Sequence, residues 1–186
     1  MNKYLQIILC LGLTGLPVFA SNSLPSQISV TSVKVSAQAA EITVNNALTI
    51  REIKVLTGGG RTLLKFPESI SKRGKVFPQV RLTSKQARDA VYSALEKRSS
   101  SSHWDPLKFE VTKVTRYAKK SSLKAFVLVV FGGGLEVECR VISGKSGIFV
   151  SWPARNDGNG WVDQVIIDDS KLKDEVESAV IAAYEK

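Results

Sequence analysis

Seven Lys and Arg side chains cluster in one stretch of the chain, at a spacing that suits contacts with an anion. They are Lys65, Lys72, Arg73, Lys75, Arg81, Lys85 and Arg88. The stretch is predicted to be a loop followed by the first turns of a helix, whose N-terminus adds partial positive charge. Such groups bind the phosphates of a nucleic acid or the charges of another acidic polymer. The alternative is a solvated surface whose charges serve solubility.

Two tryptophans and an arginine mark a second candidate region. Trp152 and Trp161 flank the segment 153–160, and Arg155 lies within it. Exposed indole rings stack on a ring of a ligand or a partner, so these three residues are candidates for a partner contact. The favoured alternative is that both tryptophans cover the sheet as part of the core, because Phe66 and Phe77 hold similar places earlier in the chain.

The residue types needed for catalysis do not occur in a recognised pattern. His103 is the only histidine, and the chain has no HExxH motif and no apparent Ser/His/Asp or Cys/His set. The two Gly-Gly-Gly runs lack a phosphate-loop motif and lie between expected strands, so we interpret them as hairpin turns. The sequence therefore predicts a protein that is not an enzyme and that holds no cofactor and no metal.

These candidates are positioned by a pattern that occurs twice. Residues 54–67 read KVLTGGGRTLLKFP, and residues 140–153 read RVISGKSGIFVSWP. The correspondence extends before this motif to ISVTSV against FEVTKV, and after it to ARDAVYSALEK against VESAVIAAYEK. The order of the matching segments is kept, so the sequence predicts one domain design used twice.

Each repeat is predicted to contain short strands followed by one helix. The strands expected in repeat 1 are Ile28–Val35, Ala40–Val44, Ala47–Leu56, Thr62–Phe66 and Gln79–Leu82, with residues 68–78 as a cationic loop. Those expected in repeat 2 are Leu107–Arg116, Leu123–Phe131, Leu135–Ile142, Ile148–Trp152 and Trp161–Ile167, with residues 153–160 as a loop. A capping box at Thr83-x-x-Gln86 and a start at Asp169 or Ser170 begin the helices. The predicted fold class is α+β: two tandem repeats, each a small curled antiparallel sheet with a C-terminal helix, packed as a pseudo-dimer.

Charge separates the two repeats, which we assign to residues 28–97 and 107–186 with a Ser-rich linker at 98–106. Ser21–Arg98 contains 13 Lys and Arg against 5 Asp and Glu, whereas Ser99–Lys186 contains 12 of each. The basic excess therefore lies in repeat 1 and favours an acidic polymer or a nucleic acid as its partner. We also expect the repeats to pair within the chain, because each is small, and a homo-oligomer is a further option.

Residues 1–20 have the composition of a secretory signal peptide. Lys3 precedes a mostly apolar stretch, Leu5–Phe19, and the segment ends in the cleavage pattern Val18-Phe19-Ala20. This predicts an exported protein, periplasmic or secreted, that meets the membrane only through this segment. The alternative is a membrane anchor that is not cleaved. Cleavage removes Cys10 and leaves Cys139 in an apolar strand, where a buried, inert thiol is expected.

A motif in repeat 2 resembles that of the septation protein SpoVG family (stage V sporulation protein G). The family pattern is a strand reading RVI-x-G-x-x-G-L/I-F-V, then Pro, a basic residue and an Asp-Gly turn. It is matched by Arg140, Val141, Ile142, Gly144, Gly147, Ile148, Phe149, Val150, Pro153, Arg155, Asp157 and Gly158. Repeat 1 fits more loosely and lacks the Asp-Gly turn. It matches through Lys54, Val55, Leu56, Gly58, Leu63, Leu64 and Pro67.

The resemblance implies a fold like the one above, dimers, a link to septation and sporulation control, and DNA or RNA binding by basic residues near the helix. Members of the family are usually single-domain and cytoplasmic, whereas this chain is doubled and carries an export signal. We therefore expect an exported bacterial protein with a binding or regulatory role linked to septation or sporulation-type cell division. The alternative is a nucleic-acid-binding regulator that acts through the basic loop and helix start of repeat 1.

Overall fold

The structure is a computed structural model that describes residues 27–36, 39–58, 61–71 and 73–186. The predicted signal peptide and Lys72 lie outside the described residues. Within them the chain forms fourteen β-strands, all in antiparallel pairs, and two α-helices. The α+β class predicted from the sequence is confirmed.

The same order of elements occurs in the N-terminal half (residues 27–106) and in the C-terminal half (residues 107–186). The first consists of β1 Val30–Val35, β2 Ala40–Val44, β3 Leu48–Gly58, β4 Arg61–Lys65, β5 Glu68–Ile70, β6 Val76–Pro78, β7 Val80–Leu82 and α1 Lys85–Lys97. The second consists of β8 Phe109–Arg116, β9 Leu123–Phe131, β10 Leu135–Gly144, β11 Gly147–Ser151, β12 Ala154–Asn156, β13 Trp161–Asp163, β14 Val165–Ile167 and α2 Ser170–Glu185.

Two five-stranded sheets form the framework, and each contains one strand from the other half. The first has the order β1-β2-β3-β14 with β4 also paired to β3, and the second has the order β11-β10-β9-β8 with β7 also paired to β10. Leu82 lies opposite Leu135, and Ile167 lies opposite Leu48. The sequence pattern instead places each of these short strands in the sheet of its own repeat. The exchange satisfies the backbone groups along the part of β3 and of β10 that β4 and β11 do not cover.

Matching tight turns join the second and third strands of each half. Asn45 and Asn46 have φ values of 49° and 52°, and Gly132 and Gly133 have φ values of 52° and 66°. Two successive positive φ values make a tight turn, which Asn and Gly tolerate best. Three residues separate the paired ends of each hairpin, Val44 from Leu48 and Phe131 from Leu135. The turn predicted at Asn45-Asn46 is confirmed.

The two helices begin at equivalent capping residues. Ser84 accepts a hydrogen bond from the Ala87 amide, and Asp169 accepts one from the Leu172 amide. The expected start of α2 is confirmed, whereas the capping box at Thr83 is wrong. The amide and the hydroxyl of Thr83 both donate to the Gly134 carbonyl instead, so the N-cap moves one residue along the chain. No helix within the described residues is long and apolar enough to cross a membrane.

The two segments that the sequence predicts as loops each contain strand. β5 pairs with β6, and β12 pairs with β13. The strand expected over Trp161–Ile167 is interrupted at Gln164, whose amide donates to the Pro153 carbonyl and whose carbonyl accepts from Arg51. This break lets the chain leave one hairpin and enter the other half's sheet as β14.

One buried cluster spans both halves. Val91 of α1 and Val180 of α2 are fully buried, as are Ile50 of the first sheet and Val137 of the second. The apolar faces predicted for both helices therefore point inward. Cys139 is also fully buried, and loss of solvation raises the pKa of its thiol to about 12, as an inert cysteine requires.

The serine-rich segment 98–106 lies against the N-terminal half. The Ser101 amide donates to the Val30 carbonyl, and the Asn45 side chain donates to the Asp105 carbonyl over 2.9 Å. The chain between α1 and β8 is therefore held at two points rather than extended away from the sheets.

Candidate functional site

Three of the predicted cationic residues line one groove of the N-terminal half, which we call the basic groove. Lys65 comes from β4, Arg81 from β7 and Arg88 from α1. The remaining lining is mostly apolar: Leu64, Phe66, Glu68, Pro78, Val80, Leu82, Thr83 and Tyr92. Its volume of about 410 Å³ is in the range of sites that hold a small ligand or one segment of a polymer.

The three cations differ in how strongly they are engaged. The Lys65 ammonium lies 2.7 Å from a Glu68 carboxylate oxygen, and the Arg81 guanidinium lies 2.8 Å from one of Glu136. Arg88 is exposed and makes no ion pair with any described residue. Arg88 is therefore the cation most available to an incoming anion.

The other predicted cationic residues lie elsewhere. Arg73 and Lys75 are exposed in the turn between β5 and β6, where the Lys75 ammonium sits 5.1 Å from the centre of the Phe77 ring. Lys85 pairs with Asp89 one helical turn further along α1. The continuous cationic stretch of the sequence is thus divided between a groove, a hairpin tip and a helix surface.

A second groove, which we call the tryptophan groove, contains both predicted tryptophans. Its volume is about 620 Å³, and it is lined by Arg140, Ile142, Phe149, Val150, Ser151, Trp152, Ala154, Trp161, Asp163, Val165, Ile166, Ile167, Lys173 and Glu177. Trp152 packs 6.2 Å from the Phe131 ring, and its indole N–H donates to Glu177 Oε1 over 2.9 Å. Trp161 is 71% exposed. The favoured core role fits Trp152 and is wrong for Trp161.

The two grooves occupy equivalent places in the two halves. The basic groove lies between β4, β7 and α1, and the tryptophan groove lies between their equivalents β11, β14 and α2. The strand segments of the repeat align Lys65 with Ser151, Phe66 with Trp152 and Arg81 with Ile166. Counted from the equivalent N-caps Ser84 and Asp169, Arg88 corresponds to Lys173 and Tyr92 to Glu177. One location is therefore cationic in the N-terminal half and mainly apolar and aromatic in the C-terminal half.

Arg155 belongs to neither groove. It lines a central cleft together with Glu52, Lys54, Glu68 and Gln164. Its guanidinium donates to both Glu52 carboxylate oxygens, at 2.6 and 2.8 Å. The side-chain amide of Gln164 donates to the same carboxylate at 2.7 Å. Arg155 was grouped with the tryptophans by sequence, and the structure places it in a contact between the halves.

Glu52 is the residue of this cleft that sequence reasoning missed. Its φ is 60°, in the left-handed region that few side chains adopt, and it sits where the pairing of β2 with β3 shifts register. The sequence carries a signal of this bulge. Three residues separate Ile50 from Lys54, whereas only two separate Val137 from Arg140, the equivalent residues of repeat 2, so repeat 1 has one extra residue here. The bulged residue carries the carboxylate that reaches the other half.

Comparison with known proteins identifies one part of the chain. The SpoVG family model matches residues 108–186. Residues 108–186 are a SpoVG domain. The chain is also 30% identical over 81 residues to a protein of Symbiobacterium thermophilum whose name reads "Putative septation protein SpoVG". That match covers 42% of this chain and 58% of the relative, so the chain spans little more than half of the relative's length. No solved structure matches.

The SpoVG domain contains the whole tryptophan groove, whereas the residues that line the basic groove all precede it. The family resemblance seen in repeat 2 is confirmed by this match. The basic groove therefore lies in a part of the chain that the SpoVG family model does not describe.

Proposed function

We propose that the protein is an exported, non-enzymatic binding or regulatory protein with a role in septation, built from two SpoVG-like units. The SpoVG domain at residues 108–186 and the septation name of the Symbiobacterium relative support the process. The observation that carries a binding role is the pair of equivalent grooves, one cationic and one aromatic. Surface grooves of a few hundred Å³ with convergent polar groups are typical of binding sites.

The second SpoVG-like unit is the N-terminal half. Its support is the shared order of seven strands and a helix, the reciprocal pairing of Leu82 with Leu135 and of Ile167 with Leu48, and the equivalent caps Ser84 and Asp169. In this proposal the chain is a covalent version of a dimer. The exchanged strands then replace the contact that two separate subunits would make.

Export is supported by the apolar segment and cleavage pattern of residues 1–20. A non-enzymatic role is supported by the residue types, because the chain has a single histidine and Cys139, the free cysteine of the described residues, is buried.

A test in the native bacterium combines localisation with division. Deletion of the gene is expected to delay or misplace septa, and the full-length chain is expected to restore them, whereas a chain beginning at Ser21 is not. Mass spectrometry of the protein from fractionated cells is expected to give an N-terminus near Ser21. Normal septa in the deletion strain would remove the septation role, and an uncleaved cytoplasmic chain would remove export.

The convergence of Lys65, Arg81 and Arg88 in the basic groove favours a second candidate, a nucleic-acid-binding regulator. Arg88→Glu is expected to weaken binding of a 20-nucleotide DNA about tenfold or more, with a reduced salt dependence, because a phosphate contact is lost. Lys173→Glu is the matched control, since Lys173 holds the equivalent position in the tryptophan groove. Equal binding by both variants, measured by fluorescence anisotropy, would eliminate this candidate.

A further inference from the structure

The tryptophan groove presents aromatic surface to solvent. Trp161 is 71% exposed and Phe149 is 49% exposed, and both line the same groove as the half-buried Trp152. An exposed cluster of large aromatic rings in a concave site marks a surface for interaction. In the basic groove, Phe66 holds the position of Trp152. Tyr92 holds the position of Glu177, and its hydroxyl accepts a hydrogen bond from the Leu64 backbone amide.

The backbone at Trp161 is held in place by the turn before it. The Asp157 carboxylate accepts from the amides of Asn159 and Gly160, and the Asn156 side chain accepts from the Gly158 amide. Asn156 then pairs directly with Trp161 across β12 and β13. The backbone of this hydrogen-bonded hairpin therefore loses little conformational entropy when a ligand stacks on the ring that it carries.

The charges around the rings are balanced. The lining includes two cations, Arg140 and Lys173, and two acids, Asp163 and Glu177. The groove thus offers hydrogen-bond donors and acceptors in similar number, with no excess of positive charge. A polyanion gains little from such a surface, whereas a neutral ligand with many hydroxyl groups can both donate and accept there.

We propose that the tryptophan groove binds an uncharged glycan, with the apolar face of a pyranose ring stacked on Trp161. The face of an aromatic ring is electron-rich, so it attracts the positively polarised C–H groups of a sugar ring. The choice of a glycan rests on the proposed export, because an exported septation protein meets the polysaccharide of the cell wall. The half that carries the basic groove has no part in this site.

The test uses purified protein and chitotetraose, a neutral tetramer of N-acetylglucosamine, titrated by intrinsic fluorescence and calorimetry. Trp161→Ala is expected to weaken binding about tenfold or more, and Trp161→Phe is expected to retain most of the affinity because it keeps a ring. Trp104→Ala is the matched control, since Trp104 is 41% exposed but lies outside the groove. Its binding is expected to equal that of the unchanged protein.

Three results would overturn the proposal. The first is no heat or fluorescence change with millimolar chitotetraose, and the second is equal binding by Trp161→Ala and the unchanged protein. The third is binding of oligo(dT), lost in Trp161→Ala, with no binding of chitotetraose, which would assign the groove to a single-stranded nucleic acid. Neither measurement depends on where the protein acts in the cell, so the septation role is judged separately by the deletion strain.

Discussion

At the scale of single residues, Glu52 shows how a local irregularity can join two parts of a fold. A bulge in β3 turns its side chain toward Arg155 and Gln164, which both belong to the other half. The left-handed backbone costs about 1 kcal/mol for a residue with a Cβ. Arg155 Nε, which is shared between both carboxylate oxygens, and the Gln164 side-chain amide donate to Glu52 and offset that cost.

The strain at Glu52 predicts that a glycine variant is more stable than an alanine variant at this position, the reverse of the usual order in a strand. Glu52→Gly and Glu52→Ala both lose the carboxylate, but glycine relieves the positive φ. We therefore expect Glu52→Gly to be the more stable of the two by about 1 kcal/mol in urea unfolding.

Arg51 is the matched control because it precedes Glu52 in the same strand and is not among the described residues with a positive φ. At Arg51 the alanine variant is expected to be the more stable. If alanine were the more stable variant at both positions, the backbone at Glu52 would not be strained in solution.

The buried stripe of α2 gives a second prediction at this scale. Val180 is fully buried, and Ser178 is exposed on the same helix. Val180→Asp is expected to lower the free energy of unfolding by several kcal/mol, about 3 or more, because it buries a carboxylate without a partner. Ser178→Asp is expected to stay within about 0.5 kcal/mol of the unchanged protein. Equal melting temperatures for the two variants would contradict the observed helix face.

Residue patterns predicted the helix faces well and the groove residues only in part. The spacing of Val91 and Val180 in apolar stripes is a local property, so it could be read directly. The exposure of Trp161 depends on a short hairpin that holds it away from the sheet, and the spacing of apolar residues does not predict that hairpin. The convergence of Lys65 and Arg88 depends on how β4 packs beside α1, which a linear charge count does not contain.

At the scale of elements, the start of each helix is fixed to the hairpin turn of the other half. The amides of Asp168 and Asp169 both donate to the Ala47 carbonyl, and Thr83 bonds to the Gly134 carbonyl in the same way. Gly134 lets the α1 N-terminus come close, since a Cβ there would lie 2.0 Å from Ser84 Oγ and 2.7 Å from the Ala87 Cβ. The turn and the cap therefore form one packed unit.

This close approach predicts a position-specific cost of a single methyl group. Gly134→Ala is expected to destabilise the protein by about 1–3 kcal/mol, because α1 must move or Ser84 must give up its cap. Gly160→Ala is the matched control, since a Cβ there meets nothing within 4 Å. Thermal unfolding of both variants measures the difference, and a neutral Gly134→Ala would show that α1 does not rest on this turn.

The strands were easier to predict than their partners. β2 and β9 agree with the predicted bounds because β2 alternates apolar and polar residues, β9 is a nearly continuous apolar run, and turn residues bound both strands. The exchange of β7 and β14 could not be read from the sequence, since three residues fit the open edge of either sheet equally well by pattern alone. The choice is made by the path of the chain through Gln79 and Gln164, where the amides donate to the carbonyls of Pro67 and Pro153.

At the scale of the whole molecule, neither half completes its own sheet. Without β14 the N-terminal half lacks a partner on the second edge of Leu48–Ile50, and without β7 the C-terminal half lacks one on the second edge of Leu135–Val137. Each half alone would expose a strand edge and part of the shared core. The two halves are therefore expected to depend on each other for stability.

Separate expression of residues 27–106 and 107–186 tests this dependence. Neither fragment is expected to form a stable monomer, and mixing the two should restore native circular dichroism and a one-to-one complex by light scattering. The fragment 107–186 alone is expected to aggregate or to form a dimer that exchanges β14. Two fragments that each fold as monomers and ignore one another at high concentration would rule out the dependence.

The reciprocal exchange also sets when the protein can fold during its synthesis. The Thr49 hydroxyl bonds to the Asp168 carboxylate, a contact between residues 119 positions apart. Such distant pairings are slow to form, and a chain made from its N-terminus cannot form this one until its last strand has left the ribosome. The edge of β3 therefore stays open until β14 has been synthesised. During that interval the unpaired strand of the nascent chain is accessible to chaperones, to proteases and to other copies of itself.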